Sequence, residues 1–251
     1  MWTPSALAHE AHPKAGTAWR VVEDQYTAST RKIVDTKEEH ERLEDILEES
    51  KPPEPRGTER LHYLLKTPFR YSAPYPVGTR FRRAGSTEGV FYASEEIRTA
   101  LAELCYYRLR FFQASPDTLL PRQEARLTVF SIGYQSNRVV DLTWPSFDKD
   151  SAIWTHPTDY KGTQSFAETA RQAGIEMIRY ASVRDLEPGI NLALLSSVAF
   201  ESPAPKTQQT WFLYLSEAEA NCERANATRA DEQWTFKREQ FMHFHLADSV
   251  S

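Results

Sequence analysis

The chain has 251 residues, 40% of them apolar and 26% charged. That suits one large domain, or one domain with an added subdomain, and excludes wholesale disorder. A net charge of −5 argues against a general nucleic-acid binder, and no run approaches the ~18 apolar residues of a membrane-spanning helix.

The first residues carry neither a basic segment nor an apolar one, so no signal peptide is expected. Two cysteines, Cys105 and Cys222, lie far apart, which argues against a disulfide framework and predicts a reducing cytoplasm. Residues 35–50 read as a helix: Thr36 and Glu39 have capping-box spacing, and Leu43, Ile46 and Leu47 share a face. Eight acidic side chains against two basic ones fall within residues 35–49, a solvated acidic face. Prolines at 52, 53 and 55 stop this helix, and a short apolar element follows at 61–65.

A proline-fixed stretch comes next. Residues 70–83 hold four arginines and no acid, with tyrosines between them, a composition suited to a flat anionic ligand. Residues 89–93 read as a strand. Ser94 is then expected to cap a helix over 95–112, with Glu95 and Glu96 in its first turn. Ile97, Leu101, Leu104, Arg108 and Phe111 line one stripe of it, with Glu103 beside them. Strands are expected at 126–132 and 138–142, a helix at 163–174 closed by Gly174, and strands at 175–180, 190–200 and 210–215. Ser216 and Glu219 have capping-box spacing before a helix to about residue 229. The tail at 234–245 alternates as a last strand. The mixture reads as α+β, with a mixed or antiparallel β core and flanking helices. The expected division is a helical extension over 1–60 packed on a single domain over 61–251.

Several chemistries lack their motifs. There is no Walker loop, no G-x-G-x-x-G, no H-E-x-x-H and no G-x-S-x-G elbow. His243 and His245 could share one strand face, but no third ligand is suggested nearby, so no metal is expected.

The informative stretch is residues 79–103. It holds Arg80-Phe81, a glycine-containing turn from Gly85 to Gly89, then Val90-Phe91-Tyr92-Ala93 and Thr99-Ala100-Leu101-Ala102-Glu103. Downstream come Arg179-Tyr180-Ala181-Ser182 and Pro188-Gly189-Ile190-Asn191-Leu192. In their order and spacing these segments resemble the RES domain, the toxin half of bacterial RES–Xre toxin–antitoxin pairs, over roughly residues 65–215. The stretch around Arg70-Tyr71 resembles the subgroup with a mycobacterial NAD-degrading member. The resemblance implies a fold like that of ADP-ribosyltransferase toxins. It implies degradation of NAD+ at the nicotinamide–ribose bond, with water or inorganic phosphate as acceptor and no metal. It implies an Xre-type antitoxin as partner, no nucleic-acid or membrane binding, and room for a homodimer within such a complex.

The family's active-site residues fall on Arg80, Tyr92, Glu103 and Ser182, with Arg82 as rival to Arg80. Arg70, Tyr71 and Arg82 match further ligand contacts. A carboxylate at Glu103 can stabilise the positive charge that develops on ribose as the bond breaks. Arginines can grip a pyrophosphate with two-pronged geometry. Two other readings stay open: transfer of ADP-ribose to a protein, and a non-catalytic binding module. In the plainest alternative, Glu103 is a surface acid pairing with Arg98 or Arg110, and Tyr92 is a core tyrosine with a satisfied hydroxyl.

Overall fold

The computed structural model describes residues 2–24, 34–71, 76–115, 117–229 and 232–242. The described chain opens with α1 (Pro4–Glu10), β1 (His12–Glu23), α2 (Lys37–Ser50) and α3 (Tyr63–Arg70). Then come β2 (Phe91–Ser94), α4 (Ile97–Ala114) and β3 (Ala125–Asp141). A 3₁₀ turn (Pro145–Asp150) leads into α5 (Ser151–Trp154) and α6 (Lys161–Gln172). The rest is β4 (Met177–Ala181), β5 (Ile190–Leu194), β6 (Thr207–Leu215), β7 (Glu219–Arg224), β8 (Gln233–Lys237) and α7 (Arg238–Met242).

The fold is mixed α and β around one eight-stranded sheet, in the order β1-β2-β5-β4-β3-β6-β7-β8, with β1 also paired to β3. The extra pairing curls the first five strands of that order back on themselves, and β6, β7 and β8 extend from β3. All neighbours are antiparallel except β3 and β4. Their parallel pairing, Val139↔Met177 to Asp141↔Arg179, is reached through the helical crossover of α5 and α6.

Apolar side chains fill three regions. Phe91, Phe130, Ile132, Met177 and Leu192 pack together with α3 against them. The buried face of α6 packs with α1, the 3₁₀ turn, Ile178 and Tyr180. Leu101, Cys105, Tyr106 and Leu109 of α4 pack on β6, β7 and β8. The Cys105 and Cys222 sulfurs meet in this last region at 3.5 Å as free thiols.

Some expectations hold to the hydrogen bond. At α2 the Glu39 amide donates to Thr36 Oγ1 at 3.1 Å, and the Thr36 amide donates to the Glu39 carboxylate at 3.2 Å. Gly174 stops α6 at φ +70°, a conformation open to glycine.

Others are corrected. The expected helical extension over 1–60 contains β1, which runs beside β3 from His12↔Val139 to Glu23↔Leu127. Residues 125–141 form one continuous strand rather than two. Ser94 is not a cap: it belongs to β2 and donates to Asn191 Oδ1 at 2.6 Å. The N-cap of α4 is Glu96, with no side-chain cap bond, and Glu95 instead binds Arg179 at 2.8 Å. The stripe expected on α4 is displaced, since Phe111 is exposed while Thr99, Ala102, Cys105 and Tyr106 are buried. Ser216 and Glu219 close a hairpin, not a helix. Ser216 Oγ accepts the Glu219 amide at 3.1 Å, and β7 then returns along β6. Buried Ala220 and Cys222 alternate with more exposed neighbours, so strand periodicity prevails over the local cap signal. The tail is a strand only to Lys237, then α7; residues 243–245 lie outside the described residues.

Gly89 lets α3 approach the start of β2. A Cβ there would meet Phe69 Cα at 2.2 Å and Phe69 Cβ at 2.8 Å. Gly89→Ala is therefore expected to lower stability by about 1–3 kcal/mol, read from urea denaturation.

Candidate active site

β1 and β2 share a single pairing, Trp19↔Ser94. Beyond it the two strands part, and a cleft of about 290 Å³ opens between them, α4 and the loop around Arg80. Trp19, Arg20 and Val21 come from β1, and Tyr92, Ala93 and Ser94 from β2. Ala100, Glu103, Leu104 and Tyr107 come from one stripe of α4, at the i, i+3, i+4, i+7 spacing of a helix face. Thr79, Arg80, Tyr160, Tyr180, Arg184 and Asn191 complete the lining.

Glu103 is partly buried and held by two neutral donors. Ser182 Oγ donates to its Oε1 at 2.8 Å and Asn191 Nδ2 at 2.6 Å. These bonds leave Oε2 for a ligand. The surface-acid alternative does not hold. Arg98 pairs with Asp185 and Glu187, and Arg110 donates to the Tyr106 hydroxyl. Ser182 Oγ also accepts the amides of Arg184 and Asp185 at 3.2 and 3.3 Å, so it shapes the loop after β4.

The arginine loop is equally fixed. Arg80 is buried, donates to the Trp154 carbonyl at 2.8 Å, and lies 4.9 Å above the Tyr160 ring. From α6, Gln164 Nε2 donates to the carbonyls of Val77 and Thr79 at 2.8 and 3.0 Å. The Tyr92 hydroxyl closes the loop from the other side. It accepts the Phe81 amide at 3.0 Å and bonds Thr79 Oγ1 at 2.8 Å. Burial pushes this phenol above its ordinary pKa, against the pull of those two bonds. Its hydroxyl is thus satisfied, as the plain reading expects, while the residue lines the cleft.

The other residues expected at the site divide. Arg82 is buried beside the cleft, not among its lining residues, and donates to the Tyr71 carbonyl. Arg70 donates to the Pro52 carbonyl, and Tyr71 is exposed; neither lines the cleft. The sequence reading missed Arg20, Tyr160, Tyr180 and Arg184. Arg20 spans the gap between strands, with Nη1 donating to the Tyr92 carbonyl at 2.6 Å and its guanidinium 4.9 Å from the Phe91 ring. Burial lowers its pKa to about 10, which leaves it cationic at neutral pH. The signal was the apolar run Ala18-Trp19 and Val21-Val22 around one arginine in a β-rich stretch. Arg184 is 1% exposed, stacks 4.0 Å from the Tyr106 ring, and donates to the Pro157 carbonyl and the Tyr160 hydroxyl. Its position two residues after Ser182 was the available clue.

Three arginines thus line the cleft with one carboxylate, among phenol rings and one indole. That chemistry suits an elongated ligand with flat rings and a doubly charged anion between them. Among the described residues no cluster of three His, Cys, Asp or Glu side chains could hold a metal, and His243 and His245 lie outside those residues. No helix among them is long and apolar enough to cross a membrane.

The RES domain family matches residues 54–216. The match begins after β1, so Arg20 lies outside it. Among solved structures, the chain is similar to one from the crystal structure of the M. tuberculosis MbcT-MbcA toxin-antitoxin complex. The identity is 12%, the TM-score is 0.40, and the similarity covers 96% of this chain and 97% of that one. The chain has no match among curated proteins.

If the cleft holds a dianion, Arg20→Met should weaken binding of inorganic pyrophosphate about tenfold or more, since a charge-assisted hydrogen bond is lost. Arg70→Met should leave it within about twofold. Calorimetric titration of both variants checks the pair.

Proposed function

The chain belongs to the RES domain family, and on that footing we propose that it is the toxin of a toxin–antitoxin pair, an enzyme that consumes NAD+. The reaction is cleavage of the bond between nicotinamide and ribose. The observation that carries this reading is the Glu103 carboxylate, oriented through one oxygen by Ser182 and Asn191 in a cleft lined by three arginines.

The chemistry follows from the charges. NAD+ carries a doubly charged pyrophosphate, and Arg20, Arg80 and Arg184 supply the complementary field. Tyr92, Tyr107 and Tyr160 offer aromatic surface to the two bases. As the carbon–nitrogen bond lengthens, its electrons leave with nicotinamide and positive charge gathers on the ribose carbon and ring oxygen. Glu103 stabilises that charge and accepts hydrogen bonds from the ribose hydroxyls. The nucleophile then bonds to the same carbon. Inorganic phosphate gives ADP-ribose-1-phosphate, whereas water gives ADP-ribose and a proton. Arg80, Tyr92, Glu103 and Ser182 keep the roles that the family pattern assigns them, with Tyr92 and Ser182 acting through the groups they hold. Arg20 takes the ligand-binding part expected of Arg70, Tyr71 and Arg82. The proposed partner is an Xre-type antitoxin, and the proposed place of action is the bacterial cytoplasm.

The test is product identification by mass spectrometry after incubating the purified protein with NAD+, with and without inorganic phosphate. Nicotinamide and ADP-ribose-1-phosphate only when phosphate is present would establish phosphorolysis. Nicotinamide and ADP-ribose without phosphate would establish hydrolysis. NAD+ left intact in both mixtures would overturn the reading.

A further inference from the structure

Tyr180 stands among the cleft groups with no assigned partner. It sits on β4, with its ring 6% exposed and in edge contact with Phe81, centroids 4.9 Å apart at 72°. Two other cleft phenols are engaged: Tyr92 bonds Thr79 and the Phe81 amide, and Tyr160 bonds Arg184 and the Pro157 carbonyl. Tyr107, by contrast, is half exposed to solvent. Among the described residues the Tyr180 hydroxyl has no hydrogen-bond partner, although its side chain lines the cleft. The side chain is largely buried and its hydroxyl is not taken up by the protein, which leaves that donor available to a ligand in the cleft.

The neighbours define what that ligand group must be. Glu103, Tyr92, Arg80 and Tyr107 are all close enough to act electrostatically on the phenol. Burial raises its pKa well above the ordinary tyrosine value, and the Glu103 charge pushes the same way. At neutral pH it is therefore a neutral donor. Glu103 accepts hydrogen bonds only, and the arginines answer to anions. A neutral donor beside a carboxylate fits a neutral acceptor and disfavours an anionic one.

Resting on the proposed reaction, we infer that the Tyr180 hydroxyl recognises the leaving base by donating a hydrogen bond to the carboxamide oxygen of nicotinamide. It is then a specificity-determining residue, selecting a base with a neutral amide over its carboxylic acid counterpart, which Glu103 repels.

Tyr180→Phe removes the hydroxyl and keeps the ring on Phe81. The measurement is calorimetric binding of nicotinamide, nicotinic acid and ADP-ribose to the wild-type protein and the variant. The wild-type protein should bind nicotinamide in preference to nicotinic acid. The variant should lose about tenfold in nicotinamide affinity, the size of one hydrogen bond, and keep ADP-ribose affinity within about twofold. Equal nicotinamide affinity in both proteins would overturn the assignment. So would an equal loss for ADP-ribose, the mark of a merely structural role, or no nicotinamide binding by the wild-type protein. None of these readings needs turnover. Nicotinamide binding lost on Tyr180→Phe in a protein that leaves NAD+ intact would refute the proposed reaction and still support the base subsite.

Discussion

Glu103 Oε1 accepts one hydrogen bond from Ser182 and one from Asn191, and these two bonds tie α4 to the end of β4 and the start of β5. The tie extends in both directions. Asn191 accepts from Ser94 of β2. Ser182 holds the amides of Arg184 and Asp185, and Asp185 in turn accepts from Thr99 of α4 at 2.8 Å and pairs with Arg98. Gly189 permits this closeness, since a Cβ there would meet Thr99 Oγ1 at 2.4 Å. One carboxylate is thereby aimed by three strands and a helix, and the arginine behind it is set by the same loop. Such a network leaves little reorganisation for the moment of reaction, the condition under which fixed charges act most strongly.

The second constraint is the parting of β1 from β2. A complete ladder there would close the sheet and remove the cleft. One pairing remains, and Arg20 replaces part of the missing ladder by donating its guanidinium N–H to the Tyr92 carbonyl. The same side chain therefore joins the strands and presents charge to the opening between them. Across the cleft, the Tyr92 hydroxyl fixes the backbone around Arg80. Both strands thus take part in placing an arginine, and the geometry of the gap sets the distance between the two.

Local chemistry was legible where a signal and its partner lay close in the chain. The Thr36–Glu39 box and the Gly174 stop are of this kind. The α+β class and the convergence of Arg80, Tyr92, Glu103 and Ser182 were also legible, because the ordered motifs carry a long-range arrangement that periodicity alone does not. Where the reading failed, long-range pairing decided. Ser216 and Glu219 are spaced as a helix cap, yet the facing strand β6 draws the next residues into a hairpin. Arg70 and Arg20 each stand beside an aromatic residue. The neighbourhood of Arg70 carries a familiar motif, but α3 directs its side chain to the Pro52 carbonyl, whereas the pairing of β1 with β3 brings Arg20 to the cleft. Nothing local distinguishes the two, because the difference lies in which element joins the sheet.

The most direct measurement compares Glu103→Gln with the wild-type protein for NAD+ affinity and for the rate of nicotinamide release. Glutamine keeps an oxygen for Ser182 and Asn191 and replaces the charged Oε2 with a neutral amide nitrogen of nearly the same shape. With a carboxylate that stabilises the developing cation, affinity stays within a few-fold while release falls on the order of 10²-fold or more. Release close to the wild-type rate at unchanged affinity would contradict the account.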